Sequence, residues 1–256
     1  MIGPFMPAST SKLPPYLAAI EYPEQSILDE LKLFVDQLAN AAAEISLKYF
    51  RQKLNIDDKV KNGAFDPVTE GDRGAEAAIR ALIDKHYPDH GIIGEEYGIK
   101  DGNSDFTWVL DPIDGTRAFI SGLPTWGTLI ALLYKGEPII GVIDQPYLKE
   151  RYVGAPDGTT LNGTTIKARS CKSLSEATIS TTDPDLFKGA ERVAFDRVLG
   201  TSKLVRYGLD CYAYAIVAGG HMDLVIESGL EPYDMMALIP VIRGAGGAVT
   251  NWQTNK

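Results

Sequence analysis

The chain has 256 residues, 45% of them hydrophobic and 23% charged, which is enough apolar material for a substantial core in an ordinary globular protein. A net charge of −9 argues against a general nucleic-acid binder, which would carry a basic face, and suits the binding of cations. Two cysteines, Cys171 and Cys211, make neither a disulfide framework nor a metal-type spacing.

Residues 1–25 hold five prolines and little periodicity, and read as a flexible leader that lacks the basic start and apolar stretch of a secretory signal. No apolar run of about eighteen residues exists to span a membrane, so the expectation is a cytoplasmic protein. From Ser26 to about Arg51 the residues Ile27, Leu28, Leu31, Phe34, Val35, Leu38, Ala42, Ile45 and Tyr49 recur at helical steps. Ser26 suits the N-cap, with Asp29 and Glu30 in the first turn. A polar loop from Lys59 to Pro67 precedes a second helix, Gly71 to His86, with Ala75, Ala78, Ile79, Leu82 and Ile83 inward. His86 and His90 are four apart, but Pro88 breaks the helix that would align them as ligands.

After Asp89 the pattern turns to strands: Ile92-Ile93, Thr107 to Leu110, Leu129 to Tyr134, Pro138 to Ile143 and Arg151 to Val153. A strand entry follows at Ser173 to Ser180, then a helix from Pro184 to Leu199. A small-residue helix from Asp210 to Gly219, a buried strand from Met222 to Ile226 and a helix from Tyr233 to Gly244 complete the chain. With no long linker or repeat, residues 26–256 read as a single domain of stacked helix and sheet layers.

One segment carries chemistry: Trp108-Val109-Leu110-Asp111-Pro112-Ile113-Asp114-Gly115-Thr116-Arg117. An apolar strand ends at Asp111, and Pro112 fixes a turn that turns Asp111, the Ile113 carbonyl and Asp114 to one side. Gly115 lets the backbone approach a ligand, and Thr116 opens a helix whose first N–H groups suit a phosphate. Carboxylates so close repel one another unless a cation lies between them, and an all-oxygen set suits a hard ion such as Mg²⁺. Two more acidic segments accompany it, Glu95-Glu96 after a short strand and Asp234 at a helix start.

Read in order, Asp72 in the stretch DPVTEGD, Glu95-Glu96, Asp111 to Thr116, and Tyr233-Asp234 ahead of Gly244-Ala245-Gly246-Gly247 resemble the inositol monophosphatase superfamily. The resemblance covers about residues 26 to 252. It implies an α+β fold, the layered αβαβα sandwich of the inositol monophosphatase and fructose-1,6-bisphosphatase type, assembled as a homodimer. It further implies Mg²⁺, two to three ions per site with Mn²⁺ as a substitute, and a small phosphomonoester as substrate, with neither nucleic acid nor membrane as partner. By the same resemblance, Glu95, Asp111 and the Ile113 carbonyl would hold a first ion, Asp111, Asp114 and Asp234 a second, and Glu95 with water a third. Thr116, backed by Asp72, would orient a metal-activated water for direct in-line attack, and the backbone of Gly115 and Thr116 would bind phosphate. Lys61 resembles a family lysine beside the metal-site loop.

Departures from the inositol enzymes bear on the leaving group. They continue Asp-Gly-Thr with Thr-Asn-Phe, where this chain has Arg117-Ala118-Phe119, and the stretch from Arg206 to Asp234 is closer to the histidinol-phosphate phosphatase branch. Asp210 stands where the inositol enzymes tend to have a small residue, and Glu227 where a substrate-contacting glutamate sits. Histidinol carries an ammonium and an imidazole, which such acids would favour through charge-assisted hydrogen bonds. Asp210 also suits a helix N-cap before Cys211, and Arg117 is open to pairing with these acids or with phosphate. The reading is a histidinol-phosphatase of histidine biosynthesis. An inositol-1-phosphate or broad sugar-phosphate phosphatase and a catalytically silent metal- or phosphate-binding regulator are the alternatives. The chain stops at Lys256, where the family continues through another short strand.

Overall fold

The computed structural model describes residues 20–53, 56–58 and 67–253. The first helical stripe becomes α1 (Gln25–Tyr49), burying Leu28, Leu31, Phe34, Val35, Leu38 and Ala42. The helix starts one residue before Ser26, with Glu24 at the cap position and no side-chain cap, so Ser26 is not the N-cap and Asp29 and Glu30 fall beyond the first turn. Ile27 points outward and stays exposed. Behind the cap, Ile20 and Tyr22 pack on the core and Glu21 pairs with Lys135 at 2.7 Å. That part of the proline-rich stretch lies on the body.

A capping box at Thr69 opens α2 (Glu70–His86): the Thr69 side chain accepts from the Gly71 amide while Asp72 accepts from the Thr69 amide. The helix ends before Tyr87-Pro88, since a residue preceding proline is pushed out of the helical region. Together α1 and α2 cover one face of an eight-stranded sheet.

That sheet comprises β3 (Gly91–Gly94), β4 (Gly98–Lys100), β5 (Phe106–Asp114), β6 (Gly127–Tyr134), β7 (Glu137–Gln145), β8 (Glu150–Ala155), β9 (Gly158–Leu161) and β10 (Thr164–Ile166). Their order is β10-β9-β8-β7-β6-β5-β3-β4, antiparallel throughout except for β3 beside β5. A separate pair, β1 (Ile56–Asp58) and β2 (Pro67–Thr69), precedes α2. Successive side chains alternate between the sheet's faces. Trp108, Leu110, Ile130, Leu132 and Val142 meet α1 and α2. Val109, Leu129, Ala131 and Ile143 meet α5 (Tyr212–Ala218) and α7 (Leu238–Gly244) on the other side.

A small parallel sheet, β12 (Leu204–Tyr207), β11 (Thr178–Thr181) and β13 (Leu224–Val225), follows in the order β12-β11-β13. With α4 (Gly189–Leu199) outside it, the layers run α, β, α, β, α. Three stretches differ from their sequence reading. A 3-10 turn at Pro184–Leu186 separates from α4, which begins at Gly189 with φ +54°, a conformation that interrupts a continuous helix. The last helix is two, α6 (Pro232–Met235) and α7, and the strand expected from Met222 shrinks to two half-buried residues. Strands β4, β9, β10 and β12 lie in three- or four-residue stretches too short for an alternation to register.

Candidate active site

Register places the first two acids. Because β3 and β5 run parallel with Gly94 opposite Leu110, the next residues along, Glu95 and Asp111, emerge side by side at the same sheet edge. The Glu95 amide donates to the Leu110 carbonyl at 3.2 Å. Strand β5 does not stop at Asp111, contrary to the sequence reading. It continues to Asp114 through a slip of register against β6. Pro112 sits at the slip: it has no N–H to give the ladder, yet its φ is compatible with extended backbone. Its carbonyl accepts from the buried Thr128 hydroxyl at 2.8 Å, which ties the irregular segment down. Gly115 follows with φ +84° and turns the chain into α3 (Thr116–Ile120).

Asp111, Asp114 and Asp234 converge, each offering an oxygen within 4.8 Å of the others. Backbone amides orient all three. The Ile113 amide donates to Asp111 Oδ1 at 3.1 Å, the Cys211 amide to Asp114 Oδ2 at 2.6 Å, and the Glu231 amide to Asp234 Oδ2 at 2.7 Å. Asp234 is therefore both part of a capping box on α6 and a member of the cluster. Burial pushes the Asp111 carboxyl well above its usual range, and the charges of Glu95, Asp114 and Asp234 push it further, with a hydrogen bond to Glu95 adding to this. Burial likewise raises Asp114, reinforced by Asp210 and Asp234 and opposed by its bond from Cys211. An all-oxygen, mutually repelling set of this kind, with Asp111 buried and Asp114 and Asp234 half-buried, fits a hard divalent cation.

Asp72, buried at the start of α2, lies beside this cluster. It accepts from the Thr69 amide at 2.9 Å and the Thr69 hydroxyl at 2.5 Å, and burial raises its carboxyl to about 6. The Thr116 hydroxyl stands 3.2 Å from the Ile113 carbonyl and 3.5 Å from Asp72 Oδ1. Thr116 and Asp72, 44 positions apart, thus meet at the edge where Glu95 and Asp111 emerge.

The far wall comes from the small sheet. Parallel pairing sends β11, β12 and β13 in one direction, so the residues after their ends, Thr182, Asp210 and Glu227, gather at one rim. Asp210 has φ +47° and presses on Gly115, where a Cβ would lie 2.8 Å from the Asp210 carboxyl carbon. It does not cap α5: Cys211 occupies that position, and the Asp210 side chain bonds Thr125 instead. Burial raises the Asp210 carboxyl to about 6, while the Arg117 charge and the Thr125 bond hold it down. Arg117 itself is exposed on α3. Glu227 accepts from the Thr182 amide at 2.7 Å, the Thr182 hydroxyl at 2.9 Å and the Thr181 hydroxyl at 3.3 Å; its carboxyl is raised to about 6 by burial, with Asp210 adding. Lys61 lies outside the described residues.

Thr181, Thr182, Thr128 and Glu76 support this site without having been singled out in the sequence. Threonines in short strands give no signal of their own. Glu76 does: it lies four residues after Asp72 on the face of α2 that buries Ala75, Ile79 and Ile83, where a carboxylate needs a reason.

A sequence profile of the inositol monophosphatase family matches residues 28–256. The chain is 52% identical over 228 residues to the Arabidopsis thaliana protein named bifunctional phosphatase IMPL2, chloroplastic, covering 88% of this chain and 65% of that one. The chain thus spans just under two thirds of that relative. A histidinol-phosphatase of Chlorobaculum parvum is 34% identical over 220 residues, covering 85% of this chain and 84% of that protein. Among solved structures, an inositol monophosphatase from Zymomonas mobilis superposes with a TM-score of 0.79 at 43% identity, covering 89% and 87% of the two chains.

Proposed function

The chain belongs to the inositol monophosphatase family, and we propose that it is a Mg²⁺-dependent phosphomonoesterase that prefers L-histidinol phosphate. Asp111, Asp114 and Asp234, with Glu95 and the Ile113 carbonyl, would hold Mg²⁺. When bound, the ion supplies Lewis acidity for the attacking water and charge neutralisation for the leaving alkoxide.

The protein's own groups do the positioning. An ionised Asp72 accepts from the Thr116 hydroxyl, leaving the Thr116 oxygen to accept a hydrogen from the attacking water and aim it in line. Amides at the start of a helix have no intrahelical acceptor, so those of Gly115 and Thr116 bind phosphate oxygens. No side chain stands as a covalent nucleophile in this reading, and the reaction proceeds by direct attack of water.

The observation that carries the substrate choice is the Asp210 carboxylate seated on Gly115, beside the phosphate-binding backbone, with Glu227 contributing to the same negative field. Anionic groups there favour a leaving group bearing an ammonium or imidazolium over neutral inositol. The relatives support it: histidinol-phosphatases of Chlorobaculum parvum and Mycobacterium tuberculosis are 34% and 33% identical. A second reading, an inositol-phosphate phosphatase, draws on the 43% identical Zymomonas mobilis protein. A homodimer and a cytoplasmic location complete the proposal, both taken from the family likeness and the sequence.

Steady-state kinetics on histidinol phosphate and inositol 1-phosphate decide. A preference of about tenfold or more in kcat/KM for histidinol phosphate is expected, lost selectively in Asp210→Ala at roughly 1–2 kcal/mol. Equal values for the two esters would sink the assignment. No phosphate release from any monoester with Mg²⁺ present would favour a silent binding protein.

A further inference from the structure

Helix α2 carries a second buried acid, and its bonds run to the turn that presents Glu95. Glu76 is fully buried. Its Oε2 accepts from the Glu96 amide at 2.8 Å, and its Oε1 accepts from the Tyr97 amide at 3.2 Å and from Arg80 Nε at 2.7 Å. Arg80, one helical turn further on, sends its Nη2 to the Gly98 carbonyl at 2.5 Å. The three-residue turn Glu95-Glu96-Tyr97 between β3 and β4 therefore has every amide engaged, one by β5 and two by Glu76, while Arg80 closes its far end. Gly94 completes the fit: a Cβ there would run into Glu76 Oε1 and the Arg80 guanidinium.

Such an arrangement is more than a turn needs. Hairpin turns of three residues form without a buried carboxylate, and desolvating Glu76 costs free energy that its hydrogen bonds must offset. The turn here has an unusual task. It must hold Glu95 against the repulsion of Asp111 and Asp72, whose carboxyls both feel its charge. Asp72, Glu76 and Arg80 follow at four-residue steps along one face of α2. One rigid helix thus fixes both the acid that faces Thr116 and the turn that carries Glu95.

We propose that Glu76, with Arg80, is a positioning residue that clamps the Glu95-Glu96-Tyr97 turn so that Glu95 is already placed for a divalent cation. The inference rests on reading Glu95 as a metal ligand. A Gln at position 76 keeps the size but sets an NH₂ against one of three donors, so the turn loosens and Glu95 retreats from the cluster.

The test is Mn²⁺ binding to the full chain, followed by electron paramagnetic resonance, for the wild type, Glu76→Gln, Glu95→Gln and the double variant. Glu76→Gln is expected to weaken Mn²⁺ about tenfold or more, as loss of a group orienting a ligand typically does. The double variant should be no weaker than Glu95→Gln, because both substitutions remove the same contact. Asp223→Asn, which breaks the bidentate Arg169–Asp223 pair away from the site, controls for general destabilisation and should leave Mn²⁺ affinity unchanged. Mn²⁺ affinity in Glu76→Gln within twofold of wild type, with Glu95→Gln weakened, would overturn the clamp. If Glu95→Gln itself binds Mn²⁺ as the wild type does, the ligand reading fails instead. Should Glu76→Gln not fold, Arg80→Lys decides: weakening of about threefold or more supports the clamp, and unchanged affinity refutes it.

Discussion

Two clusters of buried charge on the large sheet are built in opposite ways. Near α1, the buried Asp144 meets Arg151 Nε at 2.7 Å, and the rest of that guanidinium reaches Asp36 at 2.9 Å and Asn40 at 2.8 Å. Burial raises Asp144, but the Arg151 charge opposes it. At the ends of β3 and β5, Asp111 is raised by burial and by three carboxylates, and the interactions that dominate its surroundings are all of one sign. The first cluster gives its buried acid a counter-charge from within the fold. The second gathers acids that repel one another, and a backbone amide holds each of Asp111, Asp114 and Asp234 in place. Titratable groups perturbed in this way, held in a well-ordered place, are what a functional site calls for.

The comparison can be broken from either side. The largest effect is expected from Asp111→Asn, which should lower kcat/KM by about 10³-fold, on the order of 4 kcal/mol, in steady-state assays. The same change should raise the melting temperature of the metal-free protein, because it removes a repelling charge. Arg151→Met should do the reverse. It strands Asp144, cutting stability by about 3 kcal/mol in denaturant unfolding while kcat at room temperature stays near wild type. Thr116→Val should reduce kcat by roughly 10²-fold with KM little altered, since it loses the group that aims the water but no binding contact.

The smallest effect is a dependence of Mg²⁺ stabilisation on pH. Asp72, Asp210 and Glu227 hold their protons up to about 6 in the folded state, above their ordinary values of 3.8, 3.8 and 4.5. Between those values the folded protein binds more protons than the unfolded one. The stability these groups contribute is complete at low pH, near and below their unfolded values, and is lost as pH rises through about 6. Mg²⁺ should therefore stabilise the protein more at about pH 7.5 than at about pH 5, by roughly 1–2 kcal/mol, read as a larger rise in melting temperature. Equal shifts at both pH values would show that the acids around the cluster do not sense the ion.

Much of the fold was legible because its helices and central strands are long. Both α1 and α2 span many turns with an apolar stripe, and β5, β6 and β7 are apolar on both faces. Asp111 to Thr116 was legible for a different reason: proline, glycine and two aspartates in six residues constrain the backbone by themselves. The course of β5 past Asp111 was not, since a register slip depends on what β6 offers, here the Thr128 hydroxyl. Nor was the break between α6 and α7, where no proline or glycine marks the end of the first helix.

The sequence by itself singled out the acids that gather in the structure, because local spacing and backbone-restricting residues sit within single segments. It also determined the family, whose motifs occur in order. Only the tertiary structure decided how those segments serve each other. The parallel register of β3 on β5 brings Glu95 to Asp111, the direction of the small sheet brings Asp210 onto Gly115, and the pitch of α2 sets Asp72 on Thr116 and Glu76 on the Glu95 turn. Each pairing joins residues 16 or more positions apart, and such contacts depend on strand order and helix packing, which no local pattern encodes.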